Sequence, residues 1–297
     1  AQGGKIILRK ARRGPLFWGV DLSGKKILFV VNYGKRDAGA LSERLDAAAR
    51  GAGAETEVKS GHALPPDAFA GADFCCVIGG DGTILACVEG AVKHGVPIFG
   101  INLGKLGFMA TFTDGISDAE FLEILGGGGR IKPRSLLEAR WGGERRIALN
   151  EFAVKSPGAS GILSLAVRAN GEFVANFEGD GIILSTPTGS SAYNLSAGGP
   201  LIYPRAKAFA LTSICPHTLS NRSIVFGADM EIEVLRRGGD AVLIADGAPC
   251  PGWSPEEPLF IRVPEEAVKF LKPEGHSHFS ILRTKLGWSE NPRKGAR

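Results

Sequence analysis

Phe74-Cys-Cys-Val-Ile-Gly-Gly-Asp-Gly-Thr83 is the stretch that decides the fold, because an apolar run leads directly into a glycine-rich turn. The run over residues 74–78 predicts a strand that is buried on both faces, as in the sheets of α/β proteins. Apolar residues recur at helical spacing over residues 84–92, so the turn opens a helix. A strand, a glycine-rich turn and a helix in this order predict a parallel sheet with a binding site at its carboxyl edge.

Similar strand and helix patterns flank this stretch. Ser117 with Glu120 three residues later is the capping box of a helix start. We predict an α/β domain over residues 25–134, whose helices cover both faces of the sheet, and an irregular basic arm over residues 1–24. The predicted elements of this domain are further strands at 26–32, 55–59 and 96–102 and helices at 40–50 and 117–125.

The pattern changes after about Ser135, where short β-type runs alternate with turns. Asn170-Gly171 between two such runs is a strong hairpin signal. We predict a β-rich domain over residues 135–274 and a C-terminal segment, 275–297, that returns to the first domain with a helix at 280–287. The predicted strands lie at 145–154, 163–169, 172–177, 182–185, 223–226, 231–235, 241–245 and 259–263.

The composition excludes several classes of protein. The chain of 297 residues is 44% hydrophobic and 22% charged, which is typical of a folded globular protein. It has no run of 18 apolar residues, and its net charge of +4 is too small for a dedicated nucleic-acid binder, so we expect neither a membrane nor a nucleic-acid partner. The cysteines are odd in number, and we predict that all of them are reduced packing residues in a cytoplasmic protein: Cys75, Cys76, Cys87, Cys215 and Cys250.

The glycine-rich turn is the first candidate site. Gly79, Gly80 and Gly82 let backbone N–H groups approach phosphate oxygens, next to Thr83 at the start of the helix. Asp81 among them repels phosphate, so its presence implies a task such as binding a metal, orienting a hydroxyl or capping the helix. An ordinary Asp-Gly turn with a capping role stays an open alternative.

Three further motifs come after predicted strands. Thr186-Pro-Thr-Gly-Ser-Ser-Ala-Tyr193 offers hydroxyl groups, backbone donors and one aromatic face, which suits a polar ligand with a base, although it also suits a capped helix start. Asn150-Glu151 combines an amide with a carboxylate and can bind a ribose diol, but alone it is also compatible with an exposed polar pair. Asp246-Gly247 alone predicts only a turn.

Together these motifs resemble the NAD kinases, the ATP- or polyphosphate-dependent family that converts NAD to NADP. The resemblance extends from about Lys25 to Trp288. The Gly79–Thr83 motif is shared with diacylglycerol and sphingosine kinases, and the Thr186–Tyr193 motif is more specific. Four other segments also fit: Asn102-Leu-Gly-Lys-Leu-Gly-Phe108, Leu149-Asn-Glu151, Cys215-Pro-His-Thr-Leu-Ser220 and Leu282-Arg-Thr-Lys-Leu-Gly-Trp288.

The resemblance implies an active site in the crevice between an α/β domain and a β domain, in a homodimer or homotetramer. It implies that Asp81 is the catalytic base for the 2′-hydroxyl of the adenosine ribose. The donor phosphates would contact Gly79, Gly80, Gly82 and Thr83, and Mg²⁺ would arrive with the nucleotide, so we expect no metal ligands from the chain. The implied NAD contacts are Asp81, Gly82, Phe108, Asn150, Glu151, Asp180, Ser191, Ala192, Tyr193 and Ser196.

Several departures and two alternative functions accompany the resemblance. Ala248 stands where many members carry Gln, and Ser191 stands where Thr is common. Glu178 and Gly161 stand near positions that vary and often carry a basic residue or His. A lipid kinase would share the glycine motif, but it would need a basic amphipathic helix or an apolar membrane-facing surface, and we find neither. A non-catalytic dinucleotide sensor is the second alternative, and such a binder would gain nothing from Asp81 beside phosphates.

Overall fold

The structure is a computed structural model that describes residues 19–61, 64–104, 107–158, 161–218, 220–275 and 277–288. Most of the predicted basic arm, residues 1–18, therefore lies outside the described residues. The 3₁₀ turns lie at Pro66–Phe69 and Gly189–Ser191, with a π-helical turn at Ile124–Gly128. The α-helices are α1 (Ala38–Gly51), α2 (Asp81–Leu85), α3 (Val88–His94), α4 (Asp118–Glu123), α5 (Tyr193–Ser196) and α6 (His278–Leu286).

The strands fall into three sheets. The first ten are β1 (Lys26–Val31), β2 (Glu55–Ser60), β3 (Phe74–Gly79), β4 (Ile98–Asn102), β5 (Phe112–Thr113), β6 (Gly129–Ser135), β7 (Leu137–Trp141), β8 (Glu144–Ala148), β9 (Glu151–Lys155) and β10 (Leu163–Ala169). The remainder are β11 (Glu172–Gly179), β12 (Gly181–Ser185), β13 (Ala208–Ile214), β14 (Ile224–Gly227), β15 (Ile232–Gly238), β16 (Val242–Ala245), β17 (Ala248–Pro249), β18 (Leu259–Arg262) and β19 (Ala267–Pro273).

The first sheet has the order β2-β1-β3-β4-β19-β6, with β5 paired to β4. Its strands are parallel except for β6, which runs antiparallel to β19. Helices cover both faces, as predicted. Cys75 and Cys76 belong to the cores on opposite faces, which confirms the alternation expected of neighbours in a strand.

The second half of the chain forms two antiparallel six-stranded sheets, with orders β11-β10-β15-β18-β7-β8 and β14-β13-β12-β9-β16-β17. Phe152 and Leu184 from one sheet pack with Val167 and Ile261 from the other in a single core. The predicted hairpin at Asn170-Gly171 is confirmed, and both residues have the positive φ that such a turn requires, 47° and 83°. The predicted combination of an α/β part with an all-β part is therefore correct.

The chain returns to the first sheet earlier than the predicted boundary at 274. β19 pairs with β4 and β6, although it lies inside the range 135–274 that is predicted as the β-rich domain. Lys269 and Lys272 interrupt the apolar pattern of β19, which is why the sequence does not reveal a strand there. The sequence pattern also does not reveal β6, β7 and β13.

Three further predictions need correction. The helix after Thr83 is interrupted between α2 and α3. The single strand predicted at 145–154 is two strands, β8 and β9, with Asn150 at the corner between them. Cys215 is exposed, whereas the other cysteines are buried as predicted. Within the described ranges, no helix has the length and hydropathy that a membrane crossing requires.

Candidate active site

Asp81 is the first residue of α2, and its side chain crosses to the loop after β4. The carboxylate accepts hydrogen bonds from the backbone N–H groups of Phe108 at 3.0 Å, Met109 at 3.3 Å and Ala110 at 3.4 Å. Gly107 permits this approach, because a Cβ atom there would overlap the Asp81 carboxylate. Asp81 therefore holds a loop and does not cap α2, whose N-cap residue is Gly80, so a structural role for Asp81 has support in the geometry, although not the capping role.

The glycines around Asp81 differ in what they face. A Cβ atom at Gly80 or Gly82 would meet nothing within 4 Å, so their backbones border open space. Gly79 is buried, and a Cβ atom there would lie 2.5 Å from Oγ1 of Thr83. Thr83 is also buried, and its hydroxyl accepts a hydrogen bond from Nδ2 of Asn32 at 3.3 Å. The open edge of this turn is therefore formed by Gly80 and Gly82.

A second aspartate organises the corner between β8 and β9. The carboxylate of Asp246 accepts hydrogen bonds from the backbone N–H groups of Leu149 at 2.7 Å, Asn150 at 2.7 Å and Glu151 at 3.1 Å. Asp246 has φ 48°, in the left-handed region, and its own N–H donates to the carbonyl of Glu151 at 3.0 Å. This double link fixes the backbone from which the Asn150 and Glu151 side chains project.

Both side chains at this corner keep a buried oxygen that has no hydrogen-bond partner in the described part of the chain. These atoms are Oδ1 of Asn150 and Oε2 of Glu151. Burial and the negative charge of Asp246 raise the pKa of Glu151 to about 7, while a hydrogen bond from the backbone N–H of Tyr193 lowers it. Buried acceptors of this kind are normally satisfied, so the pair is suited to hydroxyl groups of a ligand.

The loop after β12 packs directly on this corner. The N–H of Thr186 donates to the carbonyl of Asn150 at 2.9 Å, and a Cβ atom at Gly189 would overlap the Asn150 backbone. Tyr193 leaves 37% of its surface exposed. Burial raises the pKa of the Tyr193 hydroxyl, and the charges of Cys215, Asp180 and Glu151 add to the effect. The loop thus presents an accessible aromatic ring beside the orphaned acceptors.

A cavity of about 320 Å³ connects the two halves of the chain. Gly82 and Leu85 from α2 line one side of it, and Asp246, Ala248 and Cys250 line the other. The predicted residues Gly82 and Asp246 therefore face the same space, and Asp246 carries the corner of Asn150 and Glu151. The structure brings the main predicted motifs together in the crevice between the α/β part and the β part.

The remaining predicted residues lie around this centre at different depths. Asp180 is exposed and hydrogen-bonds through its side chain with the Cys215 thiol, which raises the pKa of that thiol. Ser191 donates from Oγ to the carbonyl of Thr188 at 3.3 Å, and Ser196 is exposed on α5. The two others, Phe108 and Ala192, are half-buried. Nζ of Lys285 lies 6.0 Å from the centroid of the Phe108 ring.

The comparisons with known proteins decide the family. Residues 27–125 match the model described as ATP-NAD kinase N-terminal domain, and residues 149–272 match the ATP-NAD kinase C-terminal domain. The NAD kinase of Nitrosomonas europaea is 39% identical over 232 residues, which cover 76% of this chain and 78% of that protein. The chain belongs to the NAD kinase family. It is therefore a transferase, a kinase that binds ATP and NAD.

Two solved structures resemble this NAD kinase over most of its length. An NAD kinase from Archaeoglobus fulgidus in complex with ATP is 25% identical with a TM-score of 0.76, covering 89% of this chain and 98% of that one. A yeast NADH kinase complexed with NADH shares the fold at 19% identity and a TM-score of 0.79, over 90% of this chain and 89% of that one. The expected family is confirmed, and the lipid kinase and sensor alternatives are excluded.

Three residues of this NAD kinase site are not apparent from the sequence. Asp246 predicts only a turn there, although it holds the corner of Asn150 and Glu151. Gly107 lies in a segment that fits the family, but nothing in the sequence shows that it admits the Asp81 carboxylate. Lys272 gives only a weak signal, because it is one of two lysines, with Lys269, that interrupt the apolar pattern of β19.

Proposed function

We propose that this NAD kinase transfers the γ-phosphoryl group of ATP to the 2′-hydroxyl of the adenosine ribose of NAD, with Mg²⁺ entering as part of the nucleotide complex. The ATP bound to the archaeal relative supports the choice of donor. The described residues contain no cluster of three or more His, Cys, Asp or Glu side chains suited to a metal ion. Mg²⁺ would neutralise part of the phosphate charge, with ligands from the nucleotide itself.

The observation that carries the proposal is the pair of orphaned acceptors on Asn150 and Glu151. Two buried oxygens without partners, on a corner fixed by Asp246, fit the hydroxyl groups of a ribose. The exposed ring of Tyr193 beside them fits the face of a base. We assign further NAD contacts to Gly82 and Phe108 across the crevice, and to the residues of the second half that surround Tyr193: Asp180, Ser191, Ala192 and Ser196.

Asp81 would orient the acceptor hydroxyl and take its proton. A carboxylate is a weak base toward an alcohol, so the proton would move late, as the new P–O bond forms. The backbone bonds to Met109 and Ala110, at 3.3 and 3.4 Å, are long, so the carboxylate can give them up for a hydroxyl. In this arrangement the backbones of Gly80 and Gly82 would contact the phosphate chain, while Gly79 and Thr83, which are buried, would mainly support the turn.

A coupled assay for NADP formation from NAD, ATP and Mg²⁺ tests the proposal. We expect steady NADP production that depends on all three components. Parallel reactions with polyphosphate, NADH and diacylglycerol define donor and acceptor. Phosphorylation of diacylglycerol without NADP formation would contradict the proposal.

Two properties beyond the reaction also belong to the proposal. We expect a homodimer or homotetramer, and light scattering on the purified chain measures that mass directly. We also expect a cytoplasmic enzyme, because its cysteines are free thiols. Fractionation of the source cells, followed by activity measurement, checks the location.

A further inference from the structure

Positive charge is buried on one face of the first sheet, near Asp81. Val268, Phe270 and Lys272 alternate along β19 onto the face where Met109 and Ala110 pack. Lys272 is only 2% exposed, and its Nζ lies 5.7 Å from the centroid of the Phe270 ring. Burying an ammonium group costs free energy, which the nearby negative charge of Asp81 offsets in part.

Two more basic side chains, from two other elements, lie within electrostatic range of Lys272. Arg134 on β6 pairs with Val268, which places it on the same face of the sheet. Burial and the charge of Arg134 lower the pKa of Lys272 to about 7, while the charge of Asp81 opposes this shift. Burial lowers the pKa of His278 on α6, and Arg134 and Lys272 add to the effect. We call Arg134, Lys272 and His278 the basic cluster.

The basic cluster adjoins the glycine-rich turn. β19 runs parallel to β4, and the last residue of β4, Asn102, pairs with Gly79. Lys272 at the carboxyl end of β19 is therefore at the edge of the sheet that carries Asp81. The helix of His278 reaches the same loop, because Nζ of Lys285 lies 6.0 Å from the centroid of the Phe108 ring.

We propose that the basic cluster binds the phosphate chain of the donor and directs its terminal phosphate toward the hydroxyl held by Asp81. This inference rests on the proposed function. Neighbouring basic groups repel one another, and a polyanion bound between them offsets this repulsion because each group then makes charge-assisted hydrogen bonds to it. In the reaction, the bond from the γ-phosphorus to the bridging oxygen breaks, and that oxygen keeps the electron pair. The cluster would stabilise the negative charge that develops there.

The charge distribution favours the donor over the pyrophosphate of NAD. Three charged side chains line the cavity beside Gly82: Asp246, Glu89 and Arg146. Nη1 of Arg146 lies 3.4 Å from Oε2 of Glu89, so these two charges offset each other and Asp246, which holds the corner carrying Glu151, leaves that side negative. Carboxylates suit hydroxyl groups and repel phosphates. Asp81 therefore stands between an acidic region that fits the acceptor ribose and a basic region that fits the donor.

Lys272→Met tests the cluster, because it removes the charge and keeps the length of the side chain. Lys272→Arg keeps the charge, and Lys269→Met changes an exposed lysine on the same strand as the matched control. Each protein is assayed for the KM of ATP and of NAD, and for binding of inorganic tripolyphosphate by calorimetry without NAD. We expect Lys272→Met to weaken tripolyphosphate binding and raise the KM of ATP roughly tenfold to a hundredfold. The KM of NAD should change less than about twofold, Lys272→Arg should retain most of the affinity, and Lys269→Met should match the wild type.

Two results would overturn the inference. A higher KM for NAD alone would mean that the cluster faces the pyrophosphate of the dinucleotide. A lower kcat with unchanged KM values and unchanged tripolyphosphate binding would mean that Lys272 only supports the fold or Asp81. If thermal melting shows that Lys272→Met does not fold, Arg134→Gln in the same assays decides. Failure of the wild type to form NADP would refute the proposed function, whereas tripolyphosphate binding that depends on Lys272 would still support the anion site.

Discussion

Asp81 and Asp246 each hold three consecutive backbone N–H groups, one in each half of the molecule, but the two arrangements differ. Both aspartates are half-buried. The hydrogen bonds to Asp246 are 2.7, 2.7 and 3.1 Å long. The hydrogen bonds to Asp81, next to the cavity-lining Gly82, are 3.0, 3.3 and 3.4 Å long. Both make the same type of contact, yet only one holds its partners tightly.

The surroundings of the two carboxylates explain this difference. Burial raises the pKa of Asp246, and its three short bonds to N–H groups oppose that shift, so the group is committed to the corner of β8 and β9. Asp81 has open space beside Gly80 and Gly82 and the positive charge of Lys272 nearby. A carboxylate with long hydrogen bonds can exchange partners more easily than one with short hydrogen bonds. We therefore assign Asp246 to the fold of the site and Asp81 to the reaction.

Replacing Asp246 should have the largest effect, on stability. Asp246→Ala leaves the N–H groups of Leu149, Asn150 and Glu151 without their acceptor. Each buried orphan costs about 1–3 kcal/mol, so we expect the free energy of unfolding to fall by roughly 3–6 kcal/mol. Urea denaturation measures the loss, and Asp246→Asn, which keeps one carbonyl oxygen, should lose about half as much. A loss of less than about 1 kcal/mol in Asp246→Ala would contradict the assignment of Asp246 to the fold of the site.

Replacing Asp81 should instead reduce turnover while the fold persists. Asp81→Asn keeps an acceptor for the loop but removes the negative charge that orients and deprotonates the hydroxyl. We expect kcat to fall by roughly two orders of magnitude or more, with NAD binding retained, in assays of initial rate and of NAD affinity. Asp114→Asn, an exposed aspartate after β5, is the control and should behave as wild type. Near-normal turnover in Asp81→Asn would leave Asp81 only the loop-holding role.

Glu151 should give the acceptor corner a characteristic pH dependence. Its pKa is raised from 4.5 to about 7 by burial and the charge of Asp246, so the folded chain keeps a proton that the unfolded chain releases. The stability from this group is therefore full at low pH and falls as pH rises from about 5 to about 7, by up to roughly 3 kcal/mol. Glu151→Gln should remove this part of the slope in urea denaturation measured from pH 5 to 8. Equal slopes in both proteins would show that Glu151 titrates normally.

The local sequence pattern predicts turns and strands, but it does not predict contacts between segments that are distant in the chain. Asn170-Gly171 identifies a hairpin because the turn itself requires those residues, and the glycine-rich turn after β3 identifies the binding edge in the same way. β19 is not predicted, because the apolar surroundings that accept Lys272 come from distant elements. The role of Asp246 is not predicted either, because its partners, at Leu149 and the next two residues, lie almost 100 positions away.

Asn150→Ala tests whether the acceptor corner binds NAD before the transition state. Oδ1 of Asn150 has no hydrogen-bond partner among the described residues, so its removal should cost the fold little. We expect the KM of NAD to rise roughly tenfold, with a smaller change in kcat, because the contact is made equally in the bound and reacting states. Asn176→Ala, on the exposed part of β11, is a matched control. A fall in kcat with an unchanged KM would show that Asn150, like Asp81, acts mainly in the transition state.

Replacing Thr83 should have the smallest effect on stability and activity. It tests whether the Thr83 hydroxyl contacts the donor or only supports the fold. Its hydroxyl accepts a hydrogen bond from Asn32 and is buried, although the family resemblance implies a donor-phosphate contact. Thr83→Val should lower the free energy of unfolding by about 1 kcal/mol and leave the KM of ATP unchanged, because the lost bond belongs to the fold. Thr83→Ser keeps the hydroxyl and should restore most of the stability. If Thr83→Val instead raised the KM of ATP tenfold while Thr83→Ser did not, the Thr83 hydroxyl would contact a phosphate of the donor. Contacts to the substrate would then include Thr83 in α2 as well as Asp81.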